Sequence, residues 1–596
     1  MSKVEDVQIA GGSFITEDIH YNQVFTAEDF SEEHQMIAKT TEDFVEKEIL
    51  SLGEEGEKLN YDLTLQVIKK AGDVGILGAS LPEEYGGLGL EGIRFALMKE
   101  KLNTQSAALT MPIGGHIGIG MLPITFFGTK HQREKYLTRL QTGDITTAFA
   151  LTEPQSGTDA SSIKTNAYLS EDGKYYILNG SKVFITNAGF ADIFIVFAKL
   201  DGKDFSTFIV ERQWDGVSIG PEEDKMGLKA SSTCSMTFED VKVPVENLLG
   251  EPGKGHIFAF NVLNFGRLSV GAGCLGNTKN TIYHSAAYAN ERVQFGKKIS
   301  SFPLIAKKLA EMNMKAYVLE SMVYRTAHLF DKGLKELDFN DSNVGEKSRK
   351  AVGEYMMECS INKVFGSETL DFAVDEGLQI HGGYGYMKEY PIEGLYRDSR
   401  IKRIFEGTSE MNRMFITNTV IRKLKKGKFR ALEDALARVQ ETFTADNQTP
   451  SHDGALSREN ELLSKTKELF TYLLSYALDV FEETLEDEQE VTSNFGDIII
   501  LMFAIESAVK RTEKIIAERG EEAAQYVMKM TTVYVQEAFE DVIDFAKEIA
   551  AAMFDGDELH QQLQKITENT FFIPINTILF KREIAQKVID SESYSM

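Results

Sequence analysis

The chain has 596 residues, more than the ~250–300 at which one hydrophobic core stops growing, so several domains are expected. Its hydrophobic fraction of 42% is ordinary for a globular protein. A net charge of −27 argues against sequence-independent nucleic-acid binding and against a purely electrostatic hold on anionic lipid, although a local cluster of Arg and Lys still makes a positive site on an acidic body.

The N-terminal stretch Met1-Ser2-Lys3-Val4-Glu5-Asp6 has no apolar core of the secretory type and is too acidic for a transit peptide, so a cytoplasmic location is expected. Residues 1–26 read as an extension and 27–145 as a helical domain. Met36, Ile37, Phe44, Val45 and Ile49 make one apolar stripe at helical spacing, and Leu65, Val67, Ile68 and Val74 make a second. Pro82 to Gly89 reads as a loop. The period changes after Gly143, and residues 146–252 read as a β domain. Tyr175 to Thr186 is expected to be a hairpin turning at Asn179-Gly180. Ile193 to Ala198, Phe205 to Val210 and Ser235 to Phe238 read as strands. Helical spacing returns at Phe258, and 253–425 reads as a helical bundle. Residues 426–454 read as a linker, basic from Lys423 to Arg430 and polar from Thr444 to Gly454. Residues 455–596 read as a C-terminal helical domain, with Gly520 as a helix stop. The apolar run Ile498 to Ile505 is closed early by Glu506 and Lys510. No uninterrupted apolar window approaches ~18 residues, so no membrane-spanning helix is expected.

Cys234, Cys274 and Cys359 are odd in number and widely spaced, which fits reduced thiols. The ten histidines do not fall in ligand spacing, so no metal is expected.

The segment Arg403-Ile404-Phe405-Glu406-Gly407-Thr408-Ser409-Glu410 carries the most chemistry. An isolated Glu near Arg403 reads as a surface ion pair. A carboxylate set in a dry pocket instead gains basicity, which suits it to take a weakly acidic proton from carbon. Far upstream lies a second cluster, Leu151-Thr152-Glu153-Pro154-Gln155-Ser156-Gly157-Thr158-Asp159. Further motifs are Gly180 to Asn187, Asn290 to Lys297 and Gln379 to Tyr386.

Taken in this order, these motifs resemble the acyl-CoA dehydrogenase family over about residues 27–425. The C-terminal helical segment and Leu263-Asn264-Phe265-Gly266-Arg267 look most similar to the long-chain and very-long-chain branch. The resemblance implies a mainly α fold with a central β-barrel-like domain between an N-terminal helical domain and a helical bundle, plus a C-terminal helical domain. It implies FAD as cofactor and Glu406 as the base that takes the α-proton of an acyl thioester while a hydride leaves the β-carbon for the flavin. It places Phe149, Leu151, Thr152, Phe184 and Thr186 at the flavin and Thr158 at the FAD pyrophosphate. Arg292 and Phe295 would reach the FAD of a neighbouring subunit. The backbone of Gln379, Gly382 and Gly383, with Thr408 and Glu410, would make further cofactor contacts. Ser156, Asn264, Arg267 and Gly407 would meet the substrate, and Gly115 and Gly118 would leave the acyl pocket deep. For the lone Thr, Phe, Gly or Arg among these, a turn hydroxyl, a strand core, a tight turn or a solvated helix charge is the common alternative. Phe184 stands where many relatives carry Trp, and Gly394 where a basic residue is frequent.

The implied partners are an acyl-CoA substrate, an electron-transferring flavoprotein and a second copy of the chain, a dimer being favoured. Two other readings stay open: an oxidase-like enzyme whose reduced flavin meets oxygen, and a dehydrogenase-like scaffold whose C-terminal helices dock a partner. Peripheral contact with a membrane surface is also left open.

Overall fold

The computed structural model describes residues 9–104, 107–341, 343–443 and 454–596. The readings of residues 1–6 and of the polar stretch 444–453 lie outside them. The N-terminal part is built from α1 (Glu32–Phe44), α2 (Tyr61–Asp73), α3 (Gly92–Leu102), α4 (Ala107–Gly115), α5 (Leu122–Phe127) and α6 (Lys130–Gln141). Ser31, Asn60 and Thr129 accept backbone N–H groups at the starts of α1, α2 and α6, meeting donors that a helix leaves unpaired. Between α4 and α5 a π turn, His116–Gly120, breaks the helix. His116 is buried there with a fixed tautomer. Its Nδ1 accepts from Thr147 N–H at 3.3 Å, so Nε2 donates to the Leu140 carbonyl at 2.9 Å.

The β part comprises β1 (Thr147–Ala150), β2 (Asn166–Leu169), β3 (Tyr175–Thr186), β4 (Ile193–Leu200), β5 (Asp204–Glu211), β6 (Val217–Glu222), β7 (Thr233–Pro244) and β8 (Leu248–Leu249). The order is β6-β7-β3-β2-β4-β5-β8, with β1 also on β4. β1 and β2 both run parallel to β4, at different parts of it.

The expected hairpin at Asn179-Gly180 is corrected: Tyr175 to Thr186 is one strand, antiparallel to β7 along its length. The register shifts between Leu178 and Gly180. Gly180 has φ 151°, and a Cβ there would lie 2.4 Å from Thr165 Oγ1. The glycine serves a bulge and a close approach, the other common use of Gly inside a strand.

The bundle follows: α7 (Gly255–Glu291), a small hairpin of β9 (Val293–Gln294) and β10 (Lys297–Lys298), α8 (Pro303–Lys335), α9 (Val344–Gly353), α10 (Met356–His381), α11 (Pro391–Ser399) and α12 (Ser409–Lys425). α7 and α10 lie side by side in the same direction, Gly271 facing Gly366 and Thr281 facing Gly377. Part of the expected linker is structured: α13 (Arg430–Thr442) carries Leu432 and Val439 into the core. The remaining helices are α14 (Ser457–Phe481), α15 (Gln489–Arg519), α16 (Glu521–Met553), α17 (Gly556–Thr570) and α18 (Thr577–Ser591). Gly520, at φ 81°, ends α15 and starts α16.

One apolar core runs from Phe14 through the bundle to Ala585. Residues 9–26 are therefore no free extension. Phe14 packs edge-on against Phe503 at 4.9 Å, and Lys514 Nζ donates to the Val24 carbonyl. Contrary to the expectation from uninterrupted runs, Ala108–Phe127 and Gln489–Arg519 are long and apolar enough to cross a membrane by length and composition; 78% of each apolar window is buried inside the protein, as core helices are.

A buried ion network joins the parts. Arg511 on α15, fully buried, pairs with Glu28 at 2.9 Å and with Glu320 at 2.7 Å. Burial pushes the Glu28 carboxyl up, but Arg511 more than offsets this and holds it below the usual range. Arg511→Met is expected to destabilise by about 3–5 kcal/mol, because it strands a buried carboxylate. A thermal unfolding curve that matches wild type would refute this.

Candidate active site

Glu406 follows a short 3-10 turn, Arg400–Arg403, and precedes α12. Its φ is 57° and that of Gly407 is 86°, two successive left-handed residues. A non-glycine residue there is strained and persists only where its surroundings hold it. The hold comes from two directions. Arg267 Nε on α7 donates to the Glu406 carbonyl at 3.3 Å, and Asn412 Nδ2 on α12 donates to the Gly407 and Thr408 carbonyls at 2.9 and 3.0 Å. The Glu406 N–H donates to no other residue among those described.

The carboxylate rests on α7 at Gly266, where a Cβ would lie 2.7–2.8 Å from its atoms. Its Oε2 is buried with no hydrogen-bond partner among the described residues. Burial raises its pKa to about 7, against the pull of Arg267, Lys363 and Lys99. The surface ion pair with Arg403 is not formed, since Arg403 pairs with Asp371 at 3.0 Å.

Arg267 also donates to Asn264 Oδ1 and Ser360 Oγ, at 3.3 and 3.2 Å, and lies over the Phe415 ring. Asn264 and Arg267 thus sit against the Glu406 loop. The β domain brings a second group together. Lys182 Nζ on β3 donates to the Leu151 carbonyl at 3.0 Å and to Glu153 Oε1 at 2.7 Å, both side chains buried. Burial lowers the Lys182 pKa to about 8, and Glu153 opposes that. This pair, with the Val183 N–H on the Thr152 carbonyl at 3.0 Å, ties the Leu151-Thr152 loop to β3. Phe184 occupies a second bulge of β3 at φ 59° and is 64% exposed. Thr186 lies at the end of β3, its Cγ2 3.7 Å from where a Cβ of Gly115 would be; a Cβ at Gly118 would meet nothing within 4 Å. Phe149 packs on Phe197 at 4.8 Å.

Other candidates are placed differently. Ser156 is buried and its hydroxyl donates to the Asp159 carbonyl, whereas Thr158 is exposed. Thr408 caps α12 through Met411 N–H, and Glu410 is exposed in the first turn, its carboxyl lowered chiefly by its own backbone N–H. Arg292, Phe295, Gly382 and Gly383 share a groove with Tyr288, His381 and Tyr384, and Gln379 lies on the last turn of α10, beside it. Phe295 is 94% exposed, and Arg292 lies over Tyr384. The groove is beyond the C-terminal end of α7, about 37 Å along that helix from Arg267 at 1.5 Å per residue. Among the described residues no group of side chains is suited to a metal ion.

The motif reading left Gly266, Lys99, Lys363 and the Lys182–Glu153 pair without roles. Gly266 and the Lys182–Glu153 pair lie within quoted motifs, whereas Lys99 and Lys363 do not.

The structure thus holds a buried carboxylate of raised pKa resting on α7 and an exposed aromatic residue on a bulge of β3. Models of the acyl-CoA dehydrogenase N-terminal, middle and C-terminal domains match residues 31–144, 148–241 and 253–421, and a further acyl-CoA dehydrogenase C-terminal model matches 465–568. The chain belongs to the acyl-CoA dehydrogenase family. It is 46% identical over 594 residues, the full length of both chains, to a probable acyl-CoA dehydrogenase of Bacillus subtilis. It is 36% identical over 507 residues to the very long-chain specific acyl-CoA dehydrogenase of Macaca fascicularis, covering 80% of this chain and 73% of that one. Its fold superimposes, with TM-score 0.96 and 47% identity over 99% of this chain and 100% of the other, on an acyl-CoA dehydrogenase from Bacillus anthracis solved in complex with FAD.

Proposed function

We propose that this acyl-CoA dehydrogenase is an FAD enzyme that converts a long-chain acyl-CoA to the trans-2-enoyl-CoA and passes the electrons to an electron-transferring flavoprotein. The observation that carries the reading is the buried Glu406 carboxylate, raised toward neutrality, with one oxygen unpartnered. The residues present suit FAD: Phe184 offers an uncovered aromatic face, Thr152 and Thr186 offer hydroxyls beside it, and the groove at Gly382 and Gly383 has open space over its backbone. Bound there, FAD supplies the acceptor for the hydride from the β-carbon.

The chain's own residues do the rest. Glu406 takes the α-proton; the free Glu406 N–H suits the thioester oxygen, where charge builds as that proton leaves. Arg267 and Asn412 hold the strained loop in place. The distance between the Glu406 site and the Arg292–Phe295 groove favours a second copy of the chain, one copy's groove completing the other's cofactor site.

Anaerobic titration with palmitoyl-CoA, followed by flavin absorbance, tests the reading. Bleaching supports it. Bound flavin that no straight-chain or branched thioester bleaches would sink it, and rapid oxygen consumption with substrate would favour the oxidase-like alternative. Gly115→Gln is expected to shift preference toward shorter acyl chains. Each methylene excluded from a buried site is worth ~0.8 kcal/mol, about fourfold in kcat/KM. An unchanged chain-length profile would refute the deep-pocket role.

A further inference from the structure

We propose that Lys99 is a positioning residue for the base: its buried ammonium keeps Glu406 in the carboxylate form that receives the α-proton. The inference rests on the dehydrogenase reading given above. Lys99 is only 2% exposed. It lies one turn after Phe95, on the face of α3 that meets α7. The Phe95 ring packs edge-on against Phe265 at 5.7 Å, and the next residue, Gly266, carries the Glu406 carboxylate. Lys99 Nζ sits 5.4 Å from the Phe95 ring centroid and donates to the Gly114 carbonyl at 2.9 Å. An ammonium has three donors, so one carbonyl leaves it under-satisfied in a dry seam. A buried lysine without a bonded carboxylate needs an anion nearby to stay charged.

The charged groups around the base come from three helices: Arg267 on α7, Lys363 on α10 and Lys99 on α3. They are not equivalent. Arg267 is committed to the Glu406 carbonyl, Asn264 and Ser360. Burial pushes Lys363 down to about 8, Glu368 and Glu406 both act on it as anions, and its Nζ has no hydrogen-bond partner among the described residues. For Lys99 the anion whose field is felt is Glu406 itself, while burial pushes the neighbouring His116 down to about 4 and keeps it neutral, against the pull of the Leu140 carbonyl. Burial pushes Lys99 down to about 7 and Glu406 up to about 7, so each charge supports the other across the seam. Removing the ammonium takes away a field that favours the carboxylate. The Glu406 pKa then rises, and less of the base is ionised at neutral pH.

The test is a pH titration of the Glu406 carboxyl by infrared difference spectroscopy on the FAD-loaded protein without substrate. The band is identified by its loss in Glu406→Gln. Wild type is compared with Lys99→Met, which removes the charge, and Lys99→Arg, which keeps it; Lys99→Gln takes the place of the Met variant if that does not fold. The neutral variant is expected to move the midpoint up by about one pH unit, a tenfold change in the ratio of carboxylate to acid. The Arg variant is expected to hold the midpoint near wild type. In stopped-flow reduction by palmitoyl-CoA, the neutral variant is then about tenfold slower at pH values below the midpoint and converges on wild type at high pH. An unmoved midpoint in the neutral variant, an equal shift in Met and Arg variants, or a rate loss independent of pH would each overturn the role. Should the carboxyl shift as expected while no thioester reduces the flavin, the Lys99 pairing stands and the reaction assigned to the site fails. Normal flavin reduction with an unmoved midpoint fails Lys99 alone.

Discussion

Glu406→Gln is expected to slow flavin reduction by an acyl-CoA by about 10²–10⁴-fold, the usual weight of a positioned general base. Gln keeps the shape of the side chain and loses its basicity, so FAD content and thermal stability should stay close to wild type. The pH dependence has a definite sign. Burial sets the Glu406 pKa at about 7, and with Glu406 as the proposed base the carboxylate is the active form. The reduction rate should therefore rise with pH and level off above about 7, falling about tenfold per unit well below it. Bleaching at an unchanged rate in the Gln variant would move proton abstraction to another residue. A rate that rises toward low pH would require the protonated form.

The second large effect is expected at Gly266, a residue with no chemistry of its own. A Cβ there would sit 2.7–2.8 Å from the Glu406 carboxylate. The carboxylate is the movable partner, so it gives way. A displacement of about 1 Å from a working geometry costs on the order of 10²-fold in rate. Stability should go the other way, because Ala in a helix is favoured over Gly by up to ~1 kcal/mol. Gly266→Ala should thus be as stable as wild type or more so, with FAD bound, and about 10²-fold slower in flavin reduction. Full activity would show that the Glu406 carboxylate has room to shift without loss.

Much of the architecture was legible because its signals are local. The stripes of α1 and α2, the apolar run of β4 and the stop at Gly520 are each set by a few neighbouring residues. Misreadings came where local signals are shared by two structures. Asn179-Gly180 is a strong turn pair, yet Gly180 is used where β3 passes Thr165, a contact with no trace in the sequence near it. In α13, Leu432, Leu436 and Val439 do lie at helical spacing, but the basic stretch before them drew the boundary too early. The three charges of Lys99-Glu100-Lys101 carry no local sign of burial. Lys99 and Glu100 are nonetheless buried, Glu100 bonded by Lys279 on α7 at 2.8 Å, while Lys101 turns toward α1 and pairs with Glu42 at 2.8 Å.

By itself the sequence determined the order helical, β, helical, helical, and the residue types that the chemistry needs, because periodicity and a motif such as Phe405-Glu406-Gly407-Thr408 are properties of adjacent residues. Only the tertiary structure decided which of those residues work together. Gly266 and Glu406 are far apart in the chain and touch because α7 passes under the loop before α12. Lys99 joins them because α3 crosses α7. Arg292, just past the C-terminal end of the long helix that carries Arg267, is held away from Glu406 by the length of that helix. The basicity of Glu406 belongs to the same level: it follows from the loss of water and the placement of three cations, which packing alone sets.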